Sequence, residues 1–192
     1  MIDTHPEQQE LHGGRPGDGP AAHRFPVGLT PDEFKLAFRN HAAGVAVITA
    51  DAGEGPVGLT ATSVFSVSAE PPLLVFSISA HSSSAPTILK AEHVVVHLLA
   101  DEQLDLAQLC ATSGVDRFAD TSIWTRLITG EPYFPAAHSW IRGRVVDTMS
   151  AGKSTIVAVH ALQAQVPEAE AAPLVYHNRT WHRLGEASRL EA

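Results

Sequence analysis

The chain has 192 residues, 44% hydrophobic and 18% charged, which suits one globular domain with a full core rather than two. A net charge of −8, with no basic stripe, argues against a nucleic-acid partner. Cys110 is the single cysteine, which excludes an intrachain disulfide and a cysteine-built metal site and fits a reducing, cytoplasmic setting.

No apolar run reaches the length of a bilayer span, so no membrane partner is expected. Met1–His5 lacks the basic and apolar regions of a secretory signal. Residues 1–26 are rich in Gly, Pro and His and poor in aliphatic side chains, which predicts a disordered leader with His5, His12 and His23 in solvent. The domain is expected over 27–187, followed by a short tail, 188–192. Thr30-Pro31-Asp32-Glu33 carries an N-cap, a first-turn proline and a capping-box glutamate, so a helix is predicted to about Asn40. Phe34, Ala37 and Phe38 share its apolar face.

A short β-rich run, Gly44–Ala50, leads through turn residues Asp51–Pro56 to a strand at Val57. From Thr60 to Ser68, period-2 alternation puts Thr60, Thr62, Val64, Ser66 and Ser68 on one face. Ala61, Ser63, Phe65 and Val67 take the other. Neither face is cleanly apolar. Short hydroxyls and main-chain donors on such a strand suit a planar polar ring, whereas a Thr/Ser-rich strand with one wet face is the purely structural reading. Pro71-Pro72 then separates this run from an apolar strand at Leu73–Phe76.

The serine loop His81–Thr87 precedes a short helix from Ser84 to Ala91, and Val94–Leu99 is a buried-type strand. Glu102–Ala111 is a helix, and Thr112–Gly130 is irregular. Trp140–Val146 and Thr155–Val166 alternate as strands. Leu174–His177, Asn178-Arg179 and Trp181–Leu184 form a closing hairpin. Many strands and few short helices predict a mainly β antiparallel barrel rather than a doubly wound parallel sheet.

Several of these segments, in this order, resemble the flavin reductase-like family, whose fold is the FMN-binding split barrel. They are Phe38-Arg39 with Gly44–Thr49, then Gly58–Ser63 with Ser66–Ser68 and Pro71-Pro72. The serine loop to Thr87, Val96–Leu99, Asp116–Phe118, Gly130–Pro132 and Pro173–His177 follow. The resemblance covers about residues 30–185. It implies a split β-barrel of antiparallel strands that binds FMN, or FAD, with NAD(P)H as co-substrate. It also implies a homodimer, and an oxygenase component as a partner.

By position in the family, Thr60, Ala61, Thr62 and Ser63 would line the flavin ring and ribityl chain. Thr60 and Ser63 are the expected contacts there. Ser82, Ser83, Ser84 and Thr87 would grip the phosphate, with Arg117 and Phe118 near the flavin. Hydroxyls and the first amides of a short helix make chemical sense as an anion cradle. A helix-capping loop and a surface arginine beside a buried phenylalanine are the structural alternatives.

Two departures stand out. Many members carry Gly-Asp-His before the long late strand, and this chain has Gly152-Lys153-Ser154 instead. Lys153 and Ser154 could stand on the nicotinamide side, although a solvated turn lysine is the plainer reading. His97, where Asn is common, sits in an apolar strand and reads as a satisfied core histidine. No catalytic side chain is therefore named with certainty.

Ala151–Thr155 is not a phosphate-binding P-loop, since position 147 is Asp and the following residues alternate like a strand. His177 and His182 fall on opposite arms of the hairpin, which argues against a metal site. No nucleophile elbow is present. Two functional classes remain: an NAD(P)H-dependent flavin reductase, or a flavin-binding carrier or accessory without turnover.

Overall fold

The computed structural model describes residues 28–191; the expected leader, and the last residue of the expected tail, lie outside the described residues. Helix α1 (Pro31–Phe38) starts on the capping box, with Thr30 Oγ1 accepting from Glu33 N–H and Glu33 Oε2 accepting from Thr30 N–H at 2.8 Å. Its rings Phe34 and Phe38 meet at 4.7 Å, yet none of its residues is buried. The apolar stripe read from the sequence exists but does not enter the core.

The strands β1 (Ala43–Gly44), β2 (Ala46–Asp51), β3 (Pro56–Ala61), β4 (Phe65–Ala69) and β5 (Pro72–Ser79) come next. After α2 (Ala85–Lys90) and β6 (His93–Leu98), a 3-10 turn at Asp101–Gln103 leads into α3 (Leu104–Ala111). A small ladder pairs β7 (Thr125–Arg126), inside the segment expected to be irregular, with β8 (Pro132–Tyr133) just beyond it. The last third holds β9 (Ser139–Ala151), β10 (Ser154–Gln165), β11 (Leu174–His177) and β12 (Thr180–Arg183).

Seven strands form one antiparallel sheet in the order β3-β2-β6-β9-β10-β5-β4, and β1-β11-β12 form a second. This is the split β-barrel with short helices that was expected. The single alternating strand read from Thr60 to Ser68 is corrected: β3 ends at Ala61, β4 begins at Phe65, and Thr62–Val64 joins them. The cause is a change of partner. β3 pairs with β2, whereas β4 pairs with β5, so one straight strand could not serve both.

Strand β2 is buried on both faces. Ala46, Ile48 and Ala50 enter a core with Phe76, Val96 and Val159, while Val45 and Val47 join Leu99, Phe118 and Phe134 on the other side. His97 ties this second core together. Its Nε2 accepts from Phe134 N–H at 3.1 Å, which leaves Nδ1 to donate to Val47 O at 2.9 Å. Gly143 marks a close crossing of β9 and β10: a Cβ there would lie 2.3 Å from Val159 Cγ1. Among the described residues no helix is long and apolar enough to cross a membrane.

Glu131, in the Gly130–Pro132 segment, locks β9 to the β7–β8 ladder. Arg142 Nε and Nη2 approach its carboxylate at 2.8 and 2.6 Å, and Thr129 donates a further hydrogen bond. Burial pushes the Glu131 pKa up, but the Arg142 and Thr129 bonds and the Arg142 charge outweigh it and bring the value down from 4.5 to about 2. A depressed carboxyl pKa stabilises the fold above the unfolded-state value and loses that contribution as pH falls toward the folded value. Thermal melts should therefore lose stability between about pH 4.5 and 2, and Glu131→Gln should flatten that part of the profile while lowering the neutral-pH melting temperature. An acid limb identical in the variant would contradict this.

Candidate functional site

A cleft of ≈ 680 Å³ opens where β3 ends, bounded by the end of β5, the serine loop, the end of α3 and the start of β10. That volume falls in the range of small-molecule and cofactor sites. About half of its lining side chains carry a hydroxyl group, and none is a carboxylate. Arg117 is its only lysine or arginine. In a chain of net charge −8, this is a neutral-to-cationic hollow.

Strand alternation explains the hydroxyls on β5. Phe76 and Ile78 point into the barrel core, so Ser77 and Ser79 face the cleft. Several other hydroxyls are engaged by the frame itself. Thr60 Oγ1 donates to Ala107 O of α3 at 2.6 Å. Ser63 Oγ accepts from Ser77 N–H at 3.0 Å and reaches Ser77 O at 3.3 Å. Thr62 and Ser83 side chains line the cleft and, among the described residues, make no hydrogen bond to the protein.

Arg117 caps the carboxyl end of α3, with Nε donating to Cys110 O at 3.1 Å and Nη2 to Thr112 O at 2.8 Å. A cation there is favoured by the helix dipole. Of the residues singled out in the sequence, the structure brings Thr60, Ala61, Thr62, Ser63, Ser82 and Ser83 to the cleft. Arg117 and Ser154 line it as well.

Ser84, Thr87, Phe118 and Lys153 do not line it. Ser84 is buried and its Oγ donates to Gly58 O at 2.8 Å, so it anchors β3 instead of capping α2. The Ala85 amide is also engaged, by Ser82 O at 3.1 Å. Thr87 lies within α2, one turn beyond the loop. Phe118 is in the second core, stacked on Phe134 at 5.5 Å and edge-on to Trp124 at 5.1 Å. Lys153 is exposed in the β9–β10 turn, where its carbonyl accepts from Ala80 N–H at 2.9 Å.

Ser77, Ser79, Ser113 and Gly114 line the cleft without having been singled out. The alternation Phe76-Ser77-Ile78-Ser79 was the available signal for the first two. For Ser113 and Gly114 it was only the turn after a helix.

Two titratable groups of the second core, His97 and Cys110, are held in their uncharged forms. Burial lowers the His97 pKa to about 4, against its bond to Val47, so the ring is neutral near pH 7. Burial raises the Cys110 thiol to about 12, against the Arg117 charge, so it is no nucleophile. Among the described residues no group of three or more metal-binding side chains converges. The lining of hydroxyls, His81 and Arg117, with no carboxylate, is chemically suited to a polar, anionic ligand.

The chain belongs to the flavin reductase-like family: the family model described as "Flavin reductase like domain" matches residues 38–185. A protein of Rhodococcus qingshengii named NADH:FMN oxidoreductase is 44% identical over 162 residues, covering 82% of this chain and 83% of its own length. The reductase component of a Rhodococcus opacus 4-nitrophenol 4-monooxygenase/4-nitrocatechol 2-monooxygenase is 30% identical, covering 78% of each chain. Among solved structures, a flavin reductase domain protein from Arthrobacter sp. FB24 superposes with a TM-score of 0.78 at 33% identity. That match covers 85% of this chain and 99% of the other.

Thr60→Val keeps the side-chain shape but removes the hydrogen bond to the Ala107 carbonyl, so it should cost about 1 kcal/mol of folding stability. Thr62→Val should stay within about 0.5 kcal/mol of the parent. Denaturant unfolding of both variants measures the difference, and equal midpoints would refute it.

Proposed function

We propose that this protein is an NADH-dependent FMN reductase that supplies reduced flavin, with a partner monooxygenase as its consumer. The observation that carries the reading is the carboxylate-free, hydroxyl-lined cleft with a fixed guanidinium, set in a flavin reductase-like barrel. The relatives named as an NADH:FMN oxidoreductase and as a monooxygenase reductase component support the donor, the flavin and the partner. The donor set suits the group. Ser82, Ser83 and Arg117 would hold its phosphate, and the Thr60–Ser63 segment with Thr62 would hold its ring and ribityl chain. Ser154 would face the nicotinamide side, with NADPH as the other donor to compare.

When bound, FMN supplies a two-electron acceptor for the hydride of a dihydronicotinamide. The chain's own part is positional. Main-chain amides and hydroxyls orient the ligand, and the Arg117 charge offsets the phosphate. With His97 neutral and committed at both nitrogens, the frame offers no acid from the core. Losing a histidine at Gly152-Lys153-Ser154 therefore leaves the positioning function intact.

The purified protein, mixed with FMN and NADH, should oxidise the nucleotide catalytically, followed at the nicotinamide absorbance band. Parallel runs with FAD, riboflavin and NADPH rank the alternatives. Stoichiometric flavin binding with no turnover would establish the carrier reading instead.

The working unit is taken as residues 27–187 in the cytoplasm, and its assembly as a homodimer. Phe65 and Val67 of the edge strand β4, at 62% and 56% exposure, support the pairing. Light scattering at micromolar concentration should give twice the chain mass. A monomer mass would remove the dimer.

A further inference from the structure

A second hollow of ≈ 290 Å³ shares one wall with the cleft: Thr62 lines both. Its other walls include Phe34 and Phe38 of α1, Arg39 just after it, Tyr176 of β11 and Arg179 in the β11–β12 turn. No carboxylate lines it. Lys35 is paired with Asp32 at 3.2 Å, but among the described residues neither Arg39 nor Arg179 is in an ion pair. Two guanidiniums that form no ion pair among the described residues thus stand beside three aromatic rings in a chain of net charge −8.

The backbone shows that the two arginines are placed together. The turn has two residues, with His177 opposite Thr180, and both Asn178 and Arg179 have positive φ, 48° and 63°. Glycine is the favoured residue at the second position of such a turn, and an arginine there carries strain. Asn178 N–H donates to Arg39 O at 3.2 Å and so holds the end of α1 against the turn.

We infer that this hollow binds the adenosine–phosphate end of the pyridine dinucleotide, while the nicotinamide end enters the cleft past Thr62. This rests on the reductase reading above. Guanidiniums recognise phosphate oxygens by charge-assisted bonds, and aromatic faces accept a purine ring. The wall shared through Thr62 supplies the continuity a dinucleotide needs. The adenosine end of FAD has the same chemistry but is attached through the flavin phosphate. Ser82, Ser83 and Arg117, the proposed phosphate grip, line the cleft and not this hollow.

The test compares Arg39→Gln and Arg179→Gly with the parent at saturating FMN, using NADH and the truncated donor reduced nicotinamide mononucleotide. The KM for NADH should rise roughly tenfold in each variant, the loss of one charge-assisted contact. The KM for the truncated donor, and the dissociation constants of FMN and FAD, should match the parent. Arg179→Gly also relaxes the turn, so its melting temperature should hold or rise, which separates lost recognition from lost folding.

An unchanged KM for NADH overturns the inference, as does an equal rise for both donors. A selective loss of FAD affinity would hand the hollow to the flavin dinucleotide. If the parent oxidises neither donor, the reductase reading fails separately. Calorimetric titration with ADP then decides the hollow: binding that is weakened in both variants sustains it, and no binding to the parent refutes it.

Discussion

Three hydroxyl groups hold the segment from Gly58 to Ser63, and the cleft exists because that segment is held. Ser84 fastens it to the start of α2, Thr60 to the middle of α3, and Ser63 to the backbone of β5. The partners are all main-chain groups: a carbonyl of β3 for Ser84, a carbonyl of α3 for Thr60, and the N–H and carbonyl of Ser77 in β5 for Ser63. Fixed at three points, the segment presents Thr62 and its own amides to a cleft whose walls come from four other parts of the chain.

The electrostatics follow from the same economy of charge. An acidic protein that lines its main hollow with alcohols and one arginine creates a place where an anion meets no like charge. Two titratable groups of the second core are held uncharged by burial: His97 stays neutral with both nitrogens committed, and the Cys110 thiol stays protonated. Of the ionisable side chains that line the cleft, this leaves His81 and Arg117 with a nitrogen to offer.

Much of this was legible in the sequence where the signal is local. The Thr30–Glu33 capping box, the late hairpins and the apolar strand at Val94–Leu99 depend on near neighbours, and they appear close to where the pattern put them. His97 was readable as a core residue because Val94–Val96 before it and Leu98-Leu99 after it are apolar. The roles of individual hydroxyls were not legible. Ser82, Ser83 and Ser84 are chemically identical in a row, yet one turns inward to Gly58 while the others face the cleft. Which of them does so is decided by a carbonyl 26 positions away, and no spacing rule carries that information. The break between Ala61 and Phe65 was hidden for the same reason, since alternation describes one strand and says nothing of which neighbour it pairs with.

Arg117 carries a consequence of its own. A surface arginine that grips an incoming anion must give up the freedom of a long side chain at the moment of contact. Here two carbonyls at the tail of α3 already hold the guanidinium still. The ordering is completed when the chain folds, so an anion entering the cleft would meet a positive charge that is already in place, and that side chain would not have to freeze and thaw with each arrival.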